Sequence, residues 1–394
     1  MRRVLCAWEF GGDLGHIRRL CAIARELQRT GHEPVLALSD PAAAPRDAGF
    51  TWYQAPLLTM ESRANLAALN ASDLLLHLGF SDPVQVAGAL RGWRSLFDLV
   101  QPSVIVADFA PGALLAARAA GLPRVTVGSG FASPLAGDPL PAFRDWQPVP
   151  AERLRASDAL LCASINAALA SANAKPLANA HDAFEADQDF FCTFAELDPY
   201  GVRAGREYFG PLDHGAGGVR IEWSASLHPR VFAYVKPGYP HFAALAAALA
   251  QSGGESVIAS PGLDTARLAQ LTQPGLRIFA EPVDLDSVLP ACDLCVGHAG
   301  AGFTARAVAA GLPLALLPMH LEQYLVARRL AELGAALVAR PEEPAPDFSA
   351  WVQRLATDDA MRSAARALGA KYQAHRGEHA TQLVAGRIAA LAGA

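Results

Sequence analysis

The chain has 394 residues, of which 52% are hydrophobic and 18% charged, and its formal net charge is −5. This length is more than one hydrophobic core usually serves, so we expect two domains of roughly 200 residues, and the composition excludes a disordered chain. The slightly acidic balance, without a basic stripe, argues against a nucleic-acid-binding surface.

The N-terminus reads MRRVLCAWEFGGD, in which Arg2 and Arg3 imitate the basic start of a signal peptide. The apolar run is interrupted at Glu9 and ends at residues 11–13, too early for a secretion signal. No uncharged apolar run reaches the roughly 18 residues needed to cross a bilayer. We therefore expect a cytoplasmic protein without a transmembrane segment, and a peripheral membrane contact stays open.

The first half of the chain alternates apolar strands with amphipathic helices. Such alternation predicts βαβ units and a parallel sheet with helices on both faces. The predicted elements are strand 3–10, helix 16–32, strand 33–40, helical pieces within 55–95, strand 103–108, helix 111–120 and a strand from 124.

The second half begins the same pattern again at residue 230. We expect an N-terminal Rossmann-like domain over 1–212, a Gly- and Pro-rich linker over 213–229 and a C-terminal Rossmann-like domain over 230–377. A last helix within 378–394 is expected to pack back on the first domain. The predicted elements are strand 230–237, helix 241–251, and strands at SVIAS, LRIFAE and DLCVGH.

Two polar side chains follow strands of the first domain. The loop Gly11-Gly12-Asp13-Leu14-Gly15-His16 lies between the first strand and the first helix, and Asp108 ends the strand SVIVAD. Ligands of parallel sheets bind beyond the carboxyl ends of the strands. A histidine there can act as a general base, and an acid can orient it. The alternatives are an uninvolved polar residue at position 16 and a helix cap at position 108.

The same loop is also compatible with a second function, that of a nucleotide-dependent oxidoreductase. Asp40 ends the second strand, where a ribose-binding acid would stand, although the glycine spacing of the loop does not match the dinucleotide fingerprint.

A glycine-lined turn, VGHAGAGFTARAVAAGLP (296–313), follows an apolar strand of the second domain. The backbone N–H groups of residues 300–304, at the start of a helix, would favour an anion. His298 and Thr304 could add hydrogen bonds to a diphosphate. The alternative is a tight structural turn with a structural histidine.

Polar residues also follow the strand LALLP, in the sequence Met319-His320-Leu321-Glu322-Gln323. A carboxylate beside an amide suits the hydroxyls of a sugar, although Glu322 would equally suit the first turn of a helix. Asp284-Leu285-Asp286 has D-x-D spacing, but no carboxylate cluster supports a metal, and we expect Asp286 to cap a short helix. The six cysteines, including the pair Cys292 and Cys295, are expected to be reduced.

Taken together, the chain resembles the UDP-glycosyltransferase-like superfamily of bacterial-type nucleotide-diphospho-sugar glycosyltransferases, with the GT-B fold. That fold is α/β, with two Rossmann-like domains whose parallel sheets face a central cleft. The resemblance covers most of the chain and is strongest from about 280 to 338. GGDLGH, FAELDPY and YFGPL resemble N-terminal segments of the family. Its donor signature is matched by His298, Gly300, Gly311-Leu312-Pro313, Pro318 and Glu322-Gln323.

The resemblance implies an inverting, metal-independent transfer of a sugar from a nucleotide diphosphate to a hydroxyl of a small apolar acceptor. The nucleotide sugar would be a co-substrate, with no other cofactor. His16 would be the base and Asp108 would steady its imidazolium. Glu322 and Gln323 would hold the sugar. The diphosphate would lie on His298, Gly300, Ala301, Gly302 and Thr304, with Gly12, Lys236, Phe303 and Arg306 as further candidates.

The acceptor is expected in the first domain, near residues 55–95 and 130–147. Apolar surface there could come from aromatic side chains, each of which could equally be packing. These side chains are Trp52, Trp93, Phe131 and Trp146.

Several positions depart from the family pattern. Ala280 and Val283 stand where plant members hold uracil, Phe303 replaces a phosphate-binding Ser or Thr, and Arg306 replaces a ribose-binding Glu. Glu322 is one methylene longer than the commoner Asp. UDP specificity is therefore not supported, and the sequence leaves the nucleotide, the sugar, the acceptor and the oligomeric state open.

Two further alternatives remain from the sequence. The first is a catalytically weak protein that binds nucleotide sugars or acts as a scaffold, which the altered nucleobase positions favour. The second is a sugar-nucleotide epimerase of the same architecture, which would convert its substrate without an acceptor.

Overall fold

The computed structural model describes residues 1–12, 14–43, 49–59, 68–212, 217–224, 226–340 and 342–393. The chain divides into two compact units, Met1–His214 with Arg376–Ala394, and Gly215–His375. The division falls within the predicted linker, of which residues 213–216 and 225 lie outside the described residues.

The first unit contains a parallel sheet with helices on both faces. Its helices are α1 (Leu14–Arg29), α2 (Ala71–Leu75), α3 (Pro83–Val100), α4 (Pro111–Ala120) and α5 (Ala151–Ser171). Its strands are β1 (Arg3–Trp8), β2 (Glu33–Leu38), β3 (Thr51–Gln54), β4 (Val104–Asp108), β5 (Arg124–Gly128) and β6 (Gln188–Phe191).

The second unit repeats this architecture. Its strands are β7 (Arg230–Tyr234), β8 (Glu255–Ala259), β9 (Leu276–Phe279), β10 (Leu294–Gly297), β11 (Leu314–Leu316) and β12 (Ala336–Val338). Its helices are α6 (Phe242–Ala250), α7 (Thr265–Leu271), α8 (Leu285–Val288), α9 (Ala301–Ala309), α10 (Leu321–Glu332), α11 (Phe348–Thr357) and α12 (Asp359–Ala370).

The C-terminal helix α13 (Gly377–Gly393) belongs to the first unit, where it packs against α1. Val384 and Ile388 are fully buried and share a hydrophobic core with Val4 of β1 and Leu20 of α1. The chain thus leaves the first unit once and returns to complete its core.

Both sheets have six strands within the described residues, and all their pairings are parallel. The orders are β3-β2-β1-β4-β5-β6 and β12-β11-β10-β7-β8-β9. In each sheet, the strands that follow one another in the chain are added outward first on one side and then on the other. The strand order therefore reverses between β1 and β4 in the first sheet and between β7 and β10 in the second. Such reversal points are where open α/β sheets bind ligands.

The alternation of side chains along a strand decides which residues of β4 face α1. Val104 and Val106 lie in the core shared with α1 and α13, and Asp108 follows them at the same spacing of two. Side chains two apart point to the same face, so the carboxylate of Asp108 is directed towards α1.

Several predicted boundaries shift by a few residues. The first strand, expected over 3–10, ends at Trp8, and the first helix, expected over 16–32, covers Leu14–Arg29. Directly after the strand, the carboxylate of Glu9 accepts hydrogen bonds from the backbone N–H groups of Gly112 and Ala113. Local sequence does not encode this contact with a distant helix.

Candidate functional site

His16 and Asp108 meet at the reversal point of the first sheet. The Nδ1 atom of His16 lies 2.7 Å from Oδ1 of Asp108, whose carboxylate is only 2% exposed. β1 and β4 pair in register, with Trp8 opposite Asp108, so the loop after β1 begins beside this carboxylate. The sheet therefore brings together two residues 92 positions apart in the sequence.

The imidazole of His16 is held on three sides. Its ring stacks on Trp8, with 5.6 Å between ring centroids and 17° between planes. Its Nε2 atom lies over Gly11, which adopts a left-handed φ of +93°. Among the described residues no hydrogen-bond partner occupies Nε2, so Asp108 orients the ring and leaves Nε2 available to a ligand.

Arg19 is a third member of this site, and the sequence analysis did not identify it. Its Nη1 atom donates to Oδ2 of Asp108 at 2.5 Å, and the arginine is itself buried. Burial alone would raise the pKa of Asp108, but the charges and hydrogen bonds of Arg19 and His16 outweigh it and hold that pKa below its ordinary value. An arginine three residues after His16, on an otherwise apolar helix face, was the available sequence signal.

Glu9 is a second polar residue that the sequence analysis missed. Its carboxylate binds the first N–H groups of α4 at 2.9 and 2.7 Å. Burial raises its pKa to about 8, although these two hydrogen bonds lower it. A Cβ at Gly112 would lie 2.7 Å from Oε1 of Glu9, so this close approach requires glycine. Glu9 thereby fixes the segment between Asp108 and α4.

Gly12, a further candidate in the same loop, is exposed, and no atom lies within 4 Å of a Cβ built there. The close backbone approach in this loop is made by Gly11.

His298 occupies the reversal point of the second sheet. Its Nδ1–H donates to the carbonyl of Leu317 at 2.6 Å, and its Nε2 accepts the backbone N–H of Lys236 at 2.9 Å. The ring is 5% exposed and contacts Tyr239, with 5.4 Å between ring centroids. His298 thus joins the loop after β7 to the segment after β11, and both ring nitrogens engage the backbone.

The turn after β10 leads directly into α9. Ala299 has a left-handed φ of +60°, and Gly300 is the N-cap of the helix. The N–H of Thr304 makes the first helical bond, to the carbonyl of Gly300, so the N–H groups of Ala301, Gly302 and Phe303 precede it. Open space surrounds the α-carbon of Gly300. This arrangement can hold an anion.

Thr304 and Phe303 point into the protein. Thr304 is fully buried, and its Oγ1 atom has no hydrogen-bond partner among the described residues. The ring of Phe303 stacks on Tyr234, with 5.7 Å between ring centroids, and lies where a Cβ at Gly297 would be. Phe303 therefore fills space against β7 and β10, which explains why position 297 is glycine.

Arg306 forms an ion pair with Asp286. The expectation that Asp286 caps the short helix is wrong: Asp284 is the N-cap of α8, and its side chain accepts the N–H of Asp286. Asp286 lies in the first turn of the helix, from which its side chain reaches Arg306.

Gln323 and Glu322 lie in the first turn of α10. The Oε1 atom of Gln323 accepts the N–H of Met319 at 2.8 Å, and the side chain is 2% exposed. Gln323 therefore fixes the segment before α10, while Glu322 is partly exposed.

The aromatic residues considered for the acceptor fall into different environments. Trp93 is fully buried and Phe131 is 7% exposed, so both pack inside the first unit, whereas Trp52 is 48% exposed. Phe131 belongs to an aromatic cluster with Phe109 and Phe143. Residues 60–67 of the expected acceptor region lie outside the described residues.

A cavity of about 590 Å³ lies elsewhere in the first unit, beside β6. Asp189, Arg203 and Arg206 are among its lining residues, and the His16–Asp108 pair is not. Within the described part of the chain no group of three His, Cys, Asp or Glu residues could hold a metal ion. The same part contains no helix long and apolar enough to span a membrane. All six cysteines are free.

Comparison with known sequences identifies a matching family and a curated relative. Residues 243–390 match the family described as "Erythromycin biosynthesis protein CIII-like, C-terminal domain". "Elloramycin glycosyltransferase ElmGT" of Streptomyces olivaceus is 34% identical over 112 residues, which are 28% of this chain and 28% of the relative. The match thus spans well under a third of that relative.

Two solved structures share the architecture along the whole chain. The glycosyltransferase VinC, in complex with DTDP, has a TM-score of 0.69 at 19% identity and 99% coverage of both chains. Spinosyn rhamnosyltransferase SpnG, complexed with spinosyn aglycone, has a TM-score of 0.68 at 21% identity, over 98% of this chain and all of that one. The predicted GT-B fold, with its two parallel sheets and flanking helices, is confirmed.

Proposed function

Because the fold and the matched C-terminal segment support membership of the UDP-glycosyltransferase-like superfamily, we propose that this chain transfers a sugar from a nucleotide diphosphate to a hydroxyl group of a small apolar acceptor. The observation that carries the proposal is the buried Asp108 carboxylate bonded to Nδ1 of His16, with Nε2 left for a substrate.

His16 acts as the general base. Nε2 accepts the proton of the acceptor hydroxyl while its oxygen forms a bond to the anomeric carbon of the sugar. The bond from that carbon to the diphosphate breaks, and its electron pair leaves with the nucleoside diphosphate. Attack from the face opposite the leaving group inverts the configuration. Asp108 remains ionised and stabilises the imidazolium, and no metal takes part.

The donor is held by the second unit. The N–H groups at the start of α9 stabilise the charge that develops on the leaving diphosphate. His298 and Gln323 hold the loops around this helix end, and the partly exposed carboxylate of Glu322 accepts hydrogen bonds from the sugar hydroxyls. The DTDP bound to VinC and the spinosyn aglycone bound to SpnG favour a dTDP-sugar and an apolar acceptor.

A two-step experiment tests this function. Thermal shift with UDP-, dTDP- and GDP-sugars identifies the donor, because a ligand that binds the folded state raises its apparent stability. Nucleoside diphosphate release is then measured with a panel of apolar hydroxylated acceptors. We expect release only when donor and acceptor are both present, and sugar-nucleotide conversion without acceptor would indicate an epimerase instead.

The His16→Ala variant tests the role of the base. Transfer should fall by at least ~10², as expected for the loss of a general base, while the donor-induced thermal shift stays unchanged. His32→Ala, in the turn between α1 and β2, is the control and should retain full activity. Donor binding without transfer in the wild-type chain would indicate a sugar-nucleotide-binding protein, and full turnover in His16→Ala would exclude this mechanism.

A further inference from the structure

Phe109, which directly follows Asp108, has a backbone conformation that bulky residues rarely adopt. Its φ of 49° lies in the left-handed region, where a Cβ crowds the backbone. Among the described residues, three other non-glycine residues have such a φ: Gln101, Asn173 and Ala299. Gln101 and Asn173 lie just past the ends of α3 and α5, where left-handed residues are common. Phe109 instead follows a strand at the reversal point of its sheet, and such strain is concentrated at functional sites.

The backbone and the ring of Phe109 both contact the loop after β1. Its carbonyl accepts the N–H of Phe10 at 3.1 Å, and the centroids of the two rings are 5.8 Å apart. Phe10 is followed by Gly11, the residue over which Nε2 of His16 lies. The left-handed turn therefore places the ring of Phe109 beside the loop that faces Nε2 of the His16–Asp108 dyad.

Phe109 is partly exposed, whereas the two rings that it contacts, those of Phe10 and Phe131, are buried. The ring of Phe131 meets that of Phe109 edge on, with 6.1 Å between centroids and 79° between planes. Behind these rings, Phe80 packs on Phe10 and Phe143 packs on Phe131. Phe109 thus offers part of an aromatic surface, on a buried apolar support, next to the dyad.

The support for this ring is fixed by hydrogen bonds to the loop after β5. Tyr200 donates its hydroxyl to the carbonyl of Phe131 at 3.0 Å. Arg203 donates to the carbonyl of Gly130 at 2.9 Å and to that of Ser133 at 2.5 Å. The loop is therefore held on both sides of Phe131. A surface that is already ordered binds a ligand without the cost of ordering it.

The position and the chemistry of Phe109 indicate what it binds. The acceptor hydroxyl has to reach Nε2 of His16, so the part of the acceptor that carries this hydroxyl lies near Phe109. Aromatic rings attract one another in offset or edge-to-face arrangements, beyond the effect of the area that they bury. A saturated ring of the same size gains only the burial of apolar area. The exposed part of Phe109 therefore favours a planar aromatic acceptor.

We propose that Phe109 is a specificity-determining residue, which packs on the ring of a planar aromatic acceptor while the hydroxyl on that ring lies at Nε2 of His16. In transfer, this hydroxyl gives its proton to Nε2 as its oxygen bonds to the anomeric carbon and the nucleoside diphosphate leaves. The inference rests on the proposed function, because it names the acceptor class of that reaction. The contact between Phe109 and an aromatic ring can be measured without transfer.

The ligands 2-naphthol and decahydro-2-naphthol test this contact, since they share one carbon skeleton and differ in aromaticity. Each is titrated by NMR into the full chain without donor, and the ratio of the two dissociation constants measures the aromatic preference. In Phe109→Leu we expect that preference to fall about three- to tenfold, the size of an aromatic contact beyond area burial. Phe109→Tyr keeps the ring and should keep the preference within about twofold. Each of these side chains has a Cβ, so the left-handed backbone costs the same in all of them.

Phe50→Leu is the matched control, because Phe50 is a partly buried phenylalanine of the same unit that packs against the core shared by α1 and α13. It should leave the preference unchanged. Phe109→Met replaces the leucine variant if that protein does not fold. An unchanged preference in the leucine or methionine variant, an equal fall in Phe50→Leu, or no binding of 2-naphthol to wild type overturns the proposal.

Kinetics with the identified donor give a second result. In Phe109→Leu the KM for 2-naphthol should rise about three- to tenfold, while the KM for the donor stays unchanged. A fall in kcat with both KM values unchanged would contradict an acceptor contact. If 2-naphthol binds through Phe109 and no sugar is transferred, the proposed function fails and the aromatic site stands. Transfer to both alcohols with equal efficiency in wild type and Phe109→Leu would overturn this inference and leave the proposed function standing.

Discussion

The Nε2 atom of His16 lies against the α-carbon of Gly11, so closely that a Cβ at position 11 would be 2.3 Å from it. Nδ1 of the same ring is bonded to Asp108, so the imidazole is fixed between a carboxylate and a backbone turn. Gly11 also has a φ of +93°, which side chains other than glycine rarely adopt. The loop after β1 therefore depends on this glycine.

Gly11→Ala should separate the dyad without removing either member. The added methyl group would displace the imidazole and break its bond to Asp108, and we expect transfer to fall by about 10², the range of a lost general base. Donor binding, measured by thermal shift with the best nucleotide sugar, should be unchanged because the proposed donor site belongs to the second unit.

Gly12→Ala is the matched control for this variant. No atom lies within 4 Å of a Cβ at Gly12, so the substitution should leave turnover within about two-fold of wild type, as for an exposed site. Equal losses in the two variants would show that the loop as a whole, and not the contact with His16, carries the effect.

Glu9→Gln should change how stability depends on pH. Glu9 has a pKa of about 8 in the folded protein and an ordinary value of 4.5. Between these values the folded state holds a proton that the unfolded state has lost, so the free energy of unfolding falls as pH rises, by at most about 1.4 kcal/mol per pH unit. Above pH 8 this contribution is constant.

Urea unfolding at pH 5, 6, 7 and 8 measures this effect. The stability of wild type relative to Glu9→Gln should fall as pH rises across this series, because the variant lacks the titrating carboxyl. Glu185→Gln removes an exposed carboxyl of the same unit and should give a difference that is flat with pH. A wild-type stability that rises relative to Glu9→Gln would mean that the α4 N–H groups keep Glu9 ionised.

Gln101→Gly should stabilise the protein. Gln101 is the exposed C-cap of α3 and adopts a left-handed φ of 53°, which costs a residue with a Cβ about 1 kcal/mol more than glycine. We expect a gain of about 0.5–1 kcal/mol in the free energy of unfolding. Gln251, the exposed C-cap of α6, has a φ of −99°, so Gln251→Gly should bring no gain.

His298→Ala should destabilise the protein as well as weaken donor binding. The substitution leaves the N–H of Lys236 and the carbonyl of Leu317 without their partner, and each unmet group costs about 1–3 kcal/mol if it stays buried. Chemical unfolding of the full chain measures this loss, and His241→Ala, an exposed histidine nearby, should cost little. Wild-type stability combined with abolished donor binding would instead identify His298 as a direct ligand of the diphosphate.

The His16–Asp108 pair shows how much of the candidate site can be predicted from local sequence. The apolar strand ending in Asp108 and the glycine loop before His16 were recognisable, because strand ends and glycine turns have local signatures. That the two residues meet depends on β4 pairing with β1, an arrangement between segments 92 positions apart. Arg19 and Glu9 were missed for the same reason: each acts on a partner about 90 to 100 residues away.

For the turn after β10, the backbone could be predicted from local sequence but the side-chain contacts could not. Its anion-friendly backbone could be predicted, since a helix start after a glycine-containing turn exposes N–H groups whatever its surroundings. The side chains that contact this turn could not be predicted. Phe303 and Thr304 are adjacent on the same helix, and only packing decides what each one contacts.

The sequence by itself determined the alternation of strands and helices, the two Rossmann-like domains and, through the family resemblance, the GT-B fold. Periodicity, turn residues and motif spacing are local properties, so they can be recognised in the linear sequence. The tertiary structure decided that Asp108 is shared by His16 and Arg19, that Glu9 holds α4 and that both nitrogens of His298 engage the backbone. Those contacts depend on strand order and on which face of a strand points to which helix, and both are set only when the whole sheet assembles.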